Sequence, residues 1–150
     1  MKDNHYRYLL IMAVLSFASM YVLMYAMVDR LGNVYANLNQ LYMAGLMTAP
    51  MVIIELVVMR GMYHDARRNA AILGASILAG VALFMLIQHQ TGIADRQFLR
   101  SMIPHHAAAI LMCEEAPITD LEIRTLCRSI ISGQQAEIDQ MRAKLRALQD

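Results

Sequence analysis

Three stretches of this chain carry almost no charge, and each is about as long as a bilayer is thick. Residues 9–28 contain no ionised side chain, residues 41–59 only Glu55, and residues 70–87 none. A helix of about 20 apolar residues crosses the hydrocarbon core, so the pattern predicts three membrane spans at about 9–28, 41–59 and 70–87. After residue 88 the pattern changes. Apolar positions now recur every three or four residues among Arg, Asp, Glu and Gln, the spacing of amphipathic helices.

This second pattern predicts an antiparallel helical hairpin. Asp95 can cap a first helix that runs to about Ala116, Pro117 breaks it, and Thr119 with Glu122 forms a capping box for the second. The inner stripe of the second helix is Ile123, Cys127, Ile130, Gln134, Ile138, Met141, Leu145 and Leu148. Folding about Ile118 sets Met102 level with Gln134, His105 with Ile131 and Asp95 with Met141. Pro104 falls inside the first helix; it either bends the axis and aims His105 and His106 inward or marks a later helix start.

Composition agrees with a membrane protein. Of 150 residues, 58% are hydrophobic and 17% charged, and the mean hydropathy is +0.40. Lys2 and Arg7 precede the first span, and Arg60, Arg67 and Arg68 separate the second from the third. The positive-inside rule then places the N-terminus in the cytoplasm and, after three spans, the C-terminal region in the periplasm of a bacterial inner membrane. The first span is read as retained, not as a signal peptide. The expected division is a membrane anchor over 1–88 and a hairpin domain over 89–150. Two helices bury little apolar surface, so the hairpin is expected to form a homodimeric four-helix bundle, the alternative being that it packs on its own spans or on another protein. A net charge of +1 gives no reason to expect nucleic acid.

Candidate chemistry concentrates in Phe98 to Met112, FLRSMIPHHAAAILM. Met102, His105, Ala109 and Met112 share one helix face, and His106 borders it. Thioether and imidazole donors with little carboxylate suit Cu(I) better than Mg, Ca or Mn, although Met is equally a routine core filler. Gln134 and Glu137 can approach the level of Met102 and His105. Counted from Ile118, Cys113 and Cys127 are expected to be offset by about 6 Å along the hairpin, which favours buried thiols over an intrachain disulfide and leaves soft ligation or an intermolecular bridge open. Met24, Met27, Met43, Met47, Met85 and His89 fall at one expected membrane face, where they form a second site or a hand-off path, or simply pack. Glu55 lies near the charged end of its span, within reach of a basic partner.

The two blocks F-x-x-x-M-I-P-H-H-x-x-A-x-x-M and I-I-x-x-Q-x-x-E-I-x-x-M, from Phe98 and Ile130 respectively, resemble the ferritin-like helical family filed as domain of unknown function 305. That family includes CopM-like copper-binding proteins. The resemblance covers residues 95–148 and leaves the three spans outside. It implies Met102, His105, His106, Met112 and Met141 as ligands for copper or silver, with Gln134 and Glu137 as orienting or ligating groups. The chain departs from the family at Lys144, where an aromatic residue is common, and it has one hairpin where longer soluble members have a repeated one.

No Glu-x-x-His, H-E-x-x-H, C-x-x-C, Walker or G-x-S-x-G motif occurs, so the usual parts of di-iron, zinc-protease, nucleotide and serine-hydrolase chemistry are missing. The expectation is a non-enzymatic, all-α, bilayer-anchored binding protein for Cu(I), with Ag(I) as second cargo and a copper donor or acceptor protein as partner. A structural envelope module and a small metal transporter using the Met-rich spans are the alternatives.

Overall fold

Apolar composition sets the first three helices, but polar groups set where they end. The computed structural model describes residues 3–148. It contains five α-helices, α1 (Asp3–Leu23), α2 (Leu38–Val58), α3 (Ala66–Gln88), α4 (Asp95–Glu115) and α5 (Leu121–Ala147), with a 3-10 turn at Leu31–Asn33. No strand occurs among the described residues. Lys2, one of the basic residues behind the expected orientation, lies outside them.

α1, α2 and α3 are each long and apolar enough to cross a membrane. Their boundaries differ from the charge-free runs. α3 begins at Ala66 because Asp65 caps it, its Oδ1 accepting from the backbone N–H groups of Arg67 and Arg68 at 3.0 Å each. Two arginines therefore occupy the first turn. α1 stops at Leu23, well before residue 28, and the chain turns away. The turn is tied by Tyr25, whose hydroxyl donates to the Tyr35 carbonyl at 2.8 Å, and by Asn37 Nδ2, which donates to the same oxygen at 2.9 Å.

The chain divides into two units. One gathers α1 with Asn39–Thr91; the other joins Met24–Leu38 to the chain from Gly92 onward. The boundary expected at residue 88 thus misses a segment: the connection between α1 and α2 belongs with the hairpin. Gly92 opens the second stretch at φ 75, a conformation in which a side chain would be strained.

In the first unit Leu9, Val52, Leu56 and Tyr63 form a buried cluster, with Tyr6, Met12, Ala13 and Ile72 packed on it. Gly45 allows close packing, since a Cβ there would lie 2.9 Å from Leu83 Cδ1. The outward surface is apolar, with Leu10 65% and Leu78 71% exposed. Lipid is a favourable solvent for such a surface and water is not. Glu55, expected to reach a basic residue, instead accepts a hydrogen bond from the Tyr63 hydroxyl at 3.3 Å.

In the second unit α4 and α5 run antiparallel, since advancing along α4 from His106 to Cys113 moves the partner back along α5 from Glu137 to Cys127. Leu99, Ile103, Ala107, Ile110, Ile138 and Leu145 form the buried seam, with Ile131 and Met141 against it. Val28 and Tyr35 pack on the same cluster. Arg142 fixes the added segment by donating to the Gly32 carbonyl at 2.9 Å and to Asn33 Oδ1 at 2.5 Å. Two residues of the expected inner stripe lie at its exposed edge, Ile123 at 48% and Leu148 at 43% exposure.

Both expected caps move by one residue. α4 is preceded by Ala94, with Asp95 inside the first turn as a favourable negative charge. α5 is capped by Asp120, not Thr119: its Oδ1 accepts from Glu122 N and Ile123 N at 2.9 Å each. Pro104 lies within α4, which excludes the later helix start.

Cys113 and Cys127 form a disulfide with Cα atoms 5.2 Å apart, which overturns the expectation of free, offset thiols. That offset assumed a helical rise on both sides of Ile118. Instead the connection is extended at both ends, with ψ 133 at Ala116 and 131 at Asp120. Extended backbone rises about 3.3 Å per residue, against 1.5 Å in a helix, so α5 starts beyond the end of α4. The whole register slips by one helical turn: His106, not Met102, lies level with Gln134.

Asp120→Ala is expected to cost about 1 kcal/mol of hairpin stability and Thr119→Ala no more than a few tenths. Thermal melts of the detergent-solubilised chain by circular dichroism check this; equal effects would contradict the capping assignment.

Candidate soft-metal centre

The slipped register decides which donors can meet. With Cys113 opposite Cys127, stepping down the hairpin places His106 level with Gln134, Met102 with Ile138 and Leu99 with Met141. Met102 and His106 are four residues apart on α4, about 6 Å along its axis. Gln134 and Glu137 step down the facing side of α5 over the same height, and Met141 lies about one turn beyond.

His106 is well enclosed, its side chain 11% exposed. Its Nδ1 lies 3.1 Å from Glu137 Oε2. The contact is close enough for an ion pair, but Nδ1 makes no hydrogen bond. Gln134 Oε1 is also buried and unpaired. Among the described residues three buried side-chain polar atoms lack a hydrogen bond, the third being Arg100 Nε. Two of the three therefore occur at one level of one seam. Leaving such a group unsatisfied costs about 1–3 kcal/mol.

Burial holds the His106 imidazole below its ordinary 6.5, assisted by neighbouring His105 and opposed by the Glu137 carboxylate. The ring is therefore neutral at pH 7, the form that ligates metals. Its environment removes a proton without supplying a full hydrogen-bond partner in exchange.

The other expected ligands are placed differently. Met102 is half-buried beside the seam, and Met141 packs on the Leu99 cluster. His105 points outward and is exposed, which corrects the expectation that the proline aims both imidazoles inward. Its ring centroid lies 6.0 Å from that of His106. Met112 is 51% exposed and, six residues beyond His106, about 9 Å further along the axis. One chain does not gather all five residues around a point. Cys113 and Cys127 are spent on their disulfide. Among the described residues no three His, Cys, Asp or Glu side chains converge, so a site on this hairpin needs thioether or amide donors.

The residues of the expected membrane-face site do not share an element type. Met24 and Met27 lie in the turn after α1 and belong to the hairpin unit, whereas Met43, Met47, Met85 and His89 belong to the first. Met43, Met47 and Met85 are 37%, 46% and 46% exposed on the surfaces of α2 and α3.

The family model described as domain of unknown function (DUF305) matches residues 55–145. The chain belongs to the DUF305 family. The match begins at the end of α2 and includes all of α3, so the expectation that the spans lie outside the family likeness is wrong for the third. The likeness of one relative extends further: an uncharacterized protein, L153, of Acanthamoeba polyphaga mimivirus is 31% identical over 140 residues, covering 91% of this chain and 90% of its own. No solved structure matches this DUF305 chain.

The Cys113–Cys127 pairing and the docking of Met24–Leu38 were the features that pattern reading missed. Two cysteines in one hairpin were a usable signal for the first. Nothing in the polar turn sequence distinguished the second.

In metal-free protein His106 is expected to titrate below 6.5. Its folded-state value is the depressed one, so its contribution to hairpin stability is complete above 6.5 and is lost as pH falls through the window beneath it. NMR titration of the His106 ring with thermal melts at matched pH checks this; a value above 6.5 would contradict the assigned burial.

Proposed function

We propose that this DUF305 protein is a membrane-anchored carrier of Cu(I), with Ag(I) as an alternative cargo, and that its hairpin acts in sequestration or delivery without catalysing a reaction. The observation that carries the reading is the neutral His106 imidazole, whose buried Nδ1 has Glu137 Oε2 at 3.1 Å but makes no hydrogen bond, level with the unpaired Gln134 Oε1 and one turn from Met102. An imidazole and a thioether suit a soft monovalent ion. Glu137, at 3.1 Å from His106, supplies a carboxylate that balances the charge of the ion or orients the ring. Met141 lies one further turn down the seam and serves as the next soft donor.

His105 and Met112 enter this reading through a second copy. They lie with half-exposed Phe98 on an open side of α4, while α5 leaves Leu126 57% exposed. A homodimer that covers these residues would form a four-helix bundle and bring the outer donors of both chains together. The disulfide fits an oxidising compartment. That supports the orientation with the hairpin on the periplasmic side of a bacterial inner membrane and the N-terminus in the cytoplasm. A copper donor or acceptor protein would meet the hairpin there.

Anaerobic competition titration of the oxidised, detergent-solubilised protein with Cu(I) tests the reading. Met102→Leu with His106→Ala is expected to weaken binding at least tenfold, and His105→Ala to weaken it less in the monomer. Unchanged affinity in the double variant would exclude the seam as the site.

A further inference from the structure

The seam does not exhaust the soft donors of the hairpin. Cys113 lies seven residues beyond His106 on α4 and Cys127 seven before Gln134 on α5, so the cysteines continue the same two faces two helical turns towards the hairpin tip. Their Cα atoms are 5.2 Å apart. The disulfide opens onto a surface cavity of about 360 Å³ lined by Glu114, Arg124 and Arg128. Arg124 is held there by donating to the Ile118 carbonyl at 2.8 Å, and Arg128 by donating to Thr125 Oγ1 at 2.9 Å.

We propose that Cys113 and Cys127 form a second soft-metal site, closed as the disulfide and opened by thiol reduction to bind one Cu(I) between two thiolates. The proposal rests on the reading of the hairpin as a soft-metal carrier, although its donors are separate from those of the seam. Two small-molecule thiols reduce the pair by exchange. The S–S bond breaks, each cysteine sulfur gains one electron and one proton, and the two reductant thiols leave joined as their own disulfide. Binding of Cu(I) then forms two metal–sulfur bonds and releases both cysteine protons to solvent, with no change in oxidation state.

Geometry and charge both suit this step. A metal–sulfur bond is about 2.3 Å, so two sulfurs on opposite sides of an ion lie about 4.6 Å apart. Cysteines with the observed backbone spacing reach that separation by rotating their side chains, without movement of either helix. Thiolate is also the ligand type that favours Cu(I) most strongly. A bis-thiolate complex of a monovalent ion is anionic, and the two arginines at the cavity offset that charge more than Glu114 opposes it. The cavity gives a thiol reductant and the ion a path to the sulfurs.

The test counts Cu(I) bound anaerobically by the full-length protein in detergent. Oxidised protein is compared with protein reduced by dithiothreitol and desalted, with Cu(I) held by a chromophoric chelator. Reduced protein is expected to bind one equivalent more than oxidised protein and to gain a thiolate-to-copper absorption band. The variant Cys113→Ser with Cys127→Ser is expected to bind the oxidised-state number under both conditions. In a Met102→Leu, His106→Ala background the extra equivalent is expected to persist, so failure of the seam reading removes the oxidised-state binding and leaves this increment. Equal binding by reduced and oxidised protein would overturn the proposal. So would an increment that appears only with loss of helical circular dichroism, because an unfolded dithiol binds Cu(I) without any built site.

Discussion

The packing of α4 on α5 is the constraint on which the hairpin depends. Ile103, Ala107, Ile110 and Ile138 are almost wholly excluded from solvent, and that burial supplies the main attraction between the two helices. The disulfide fixes the same register from the tip by linking residues whose separation in sequence is 14; closing a loop of that size stabilises a fold by about 3 kcal/mol. Buried apolar residues and a covalent link thus specify one alignment, and that alignment sets His106 beside Glu137 and level with Gln134. A slip of one turn would set Met102 there instead and separate the two unpaired polar atoms.

The second unit is more than a hairpin. Met24–Leu38 packs on it through Val28 and Tyr35, and Arg142 reaches from α5 to the Gly32 carbonyl and Asn33. Asn33 and Asn37 are buried there, and both are hydrogen-bonded, as buried amides must be. A pair of helices too small to hold a large core therefore gains a third layer from the connection between two apolar helices. This lessens the need for a second copy as a source of stability. In the proposed reading a second copy would serve instead as a source of donors, since His105 and Met112 are the residues that one chain leaves outside the seam.

Much of this was legible in the sequence. The three nearly uncharged runs predicted the apolar helices, and the spacing of threes and fours after residue 88 predicted the amphipathic pair. Boundaries were less legible because capping decides them locally: Asp65 draws two arginines into α3, and Asp120 starts α5 one residue later than the Thr119 box would. The hairpin register was misjudged because residues 116–120 were given a helical rise while their ends are extended. The same error made the cysteines look mismatched. Donor types were readable from FLRSMIPHHAAAILM, but which imidazole faces the seam depends on a single 100° step between His105 and His106, and only packing fixes that.

A soft monovalent ion in this seam would be held by at least one imidazole nitrogen and one thioether sulfur. X-ray absorption spectroscopy of the oxidised protein loaded with one equivalent of Cu(I) measures this directly. The expected result is a mixed first shell of nitrogen near 2.0 Å and sulfur near 2.3 Å, with the sulfur contribution reduced by Met102→Leu and the nitrogen contribution by His106→Ala. A shell of oxygen and nitrogen alone, unchanged in both variants, would contradict it.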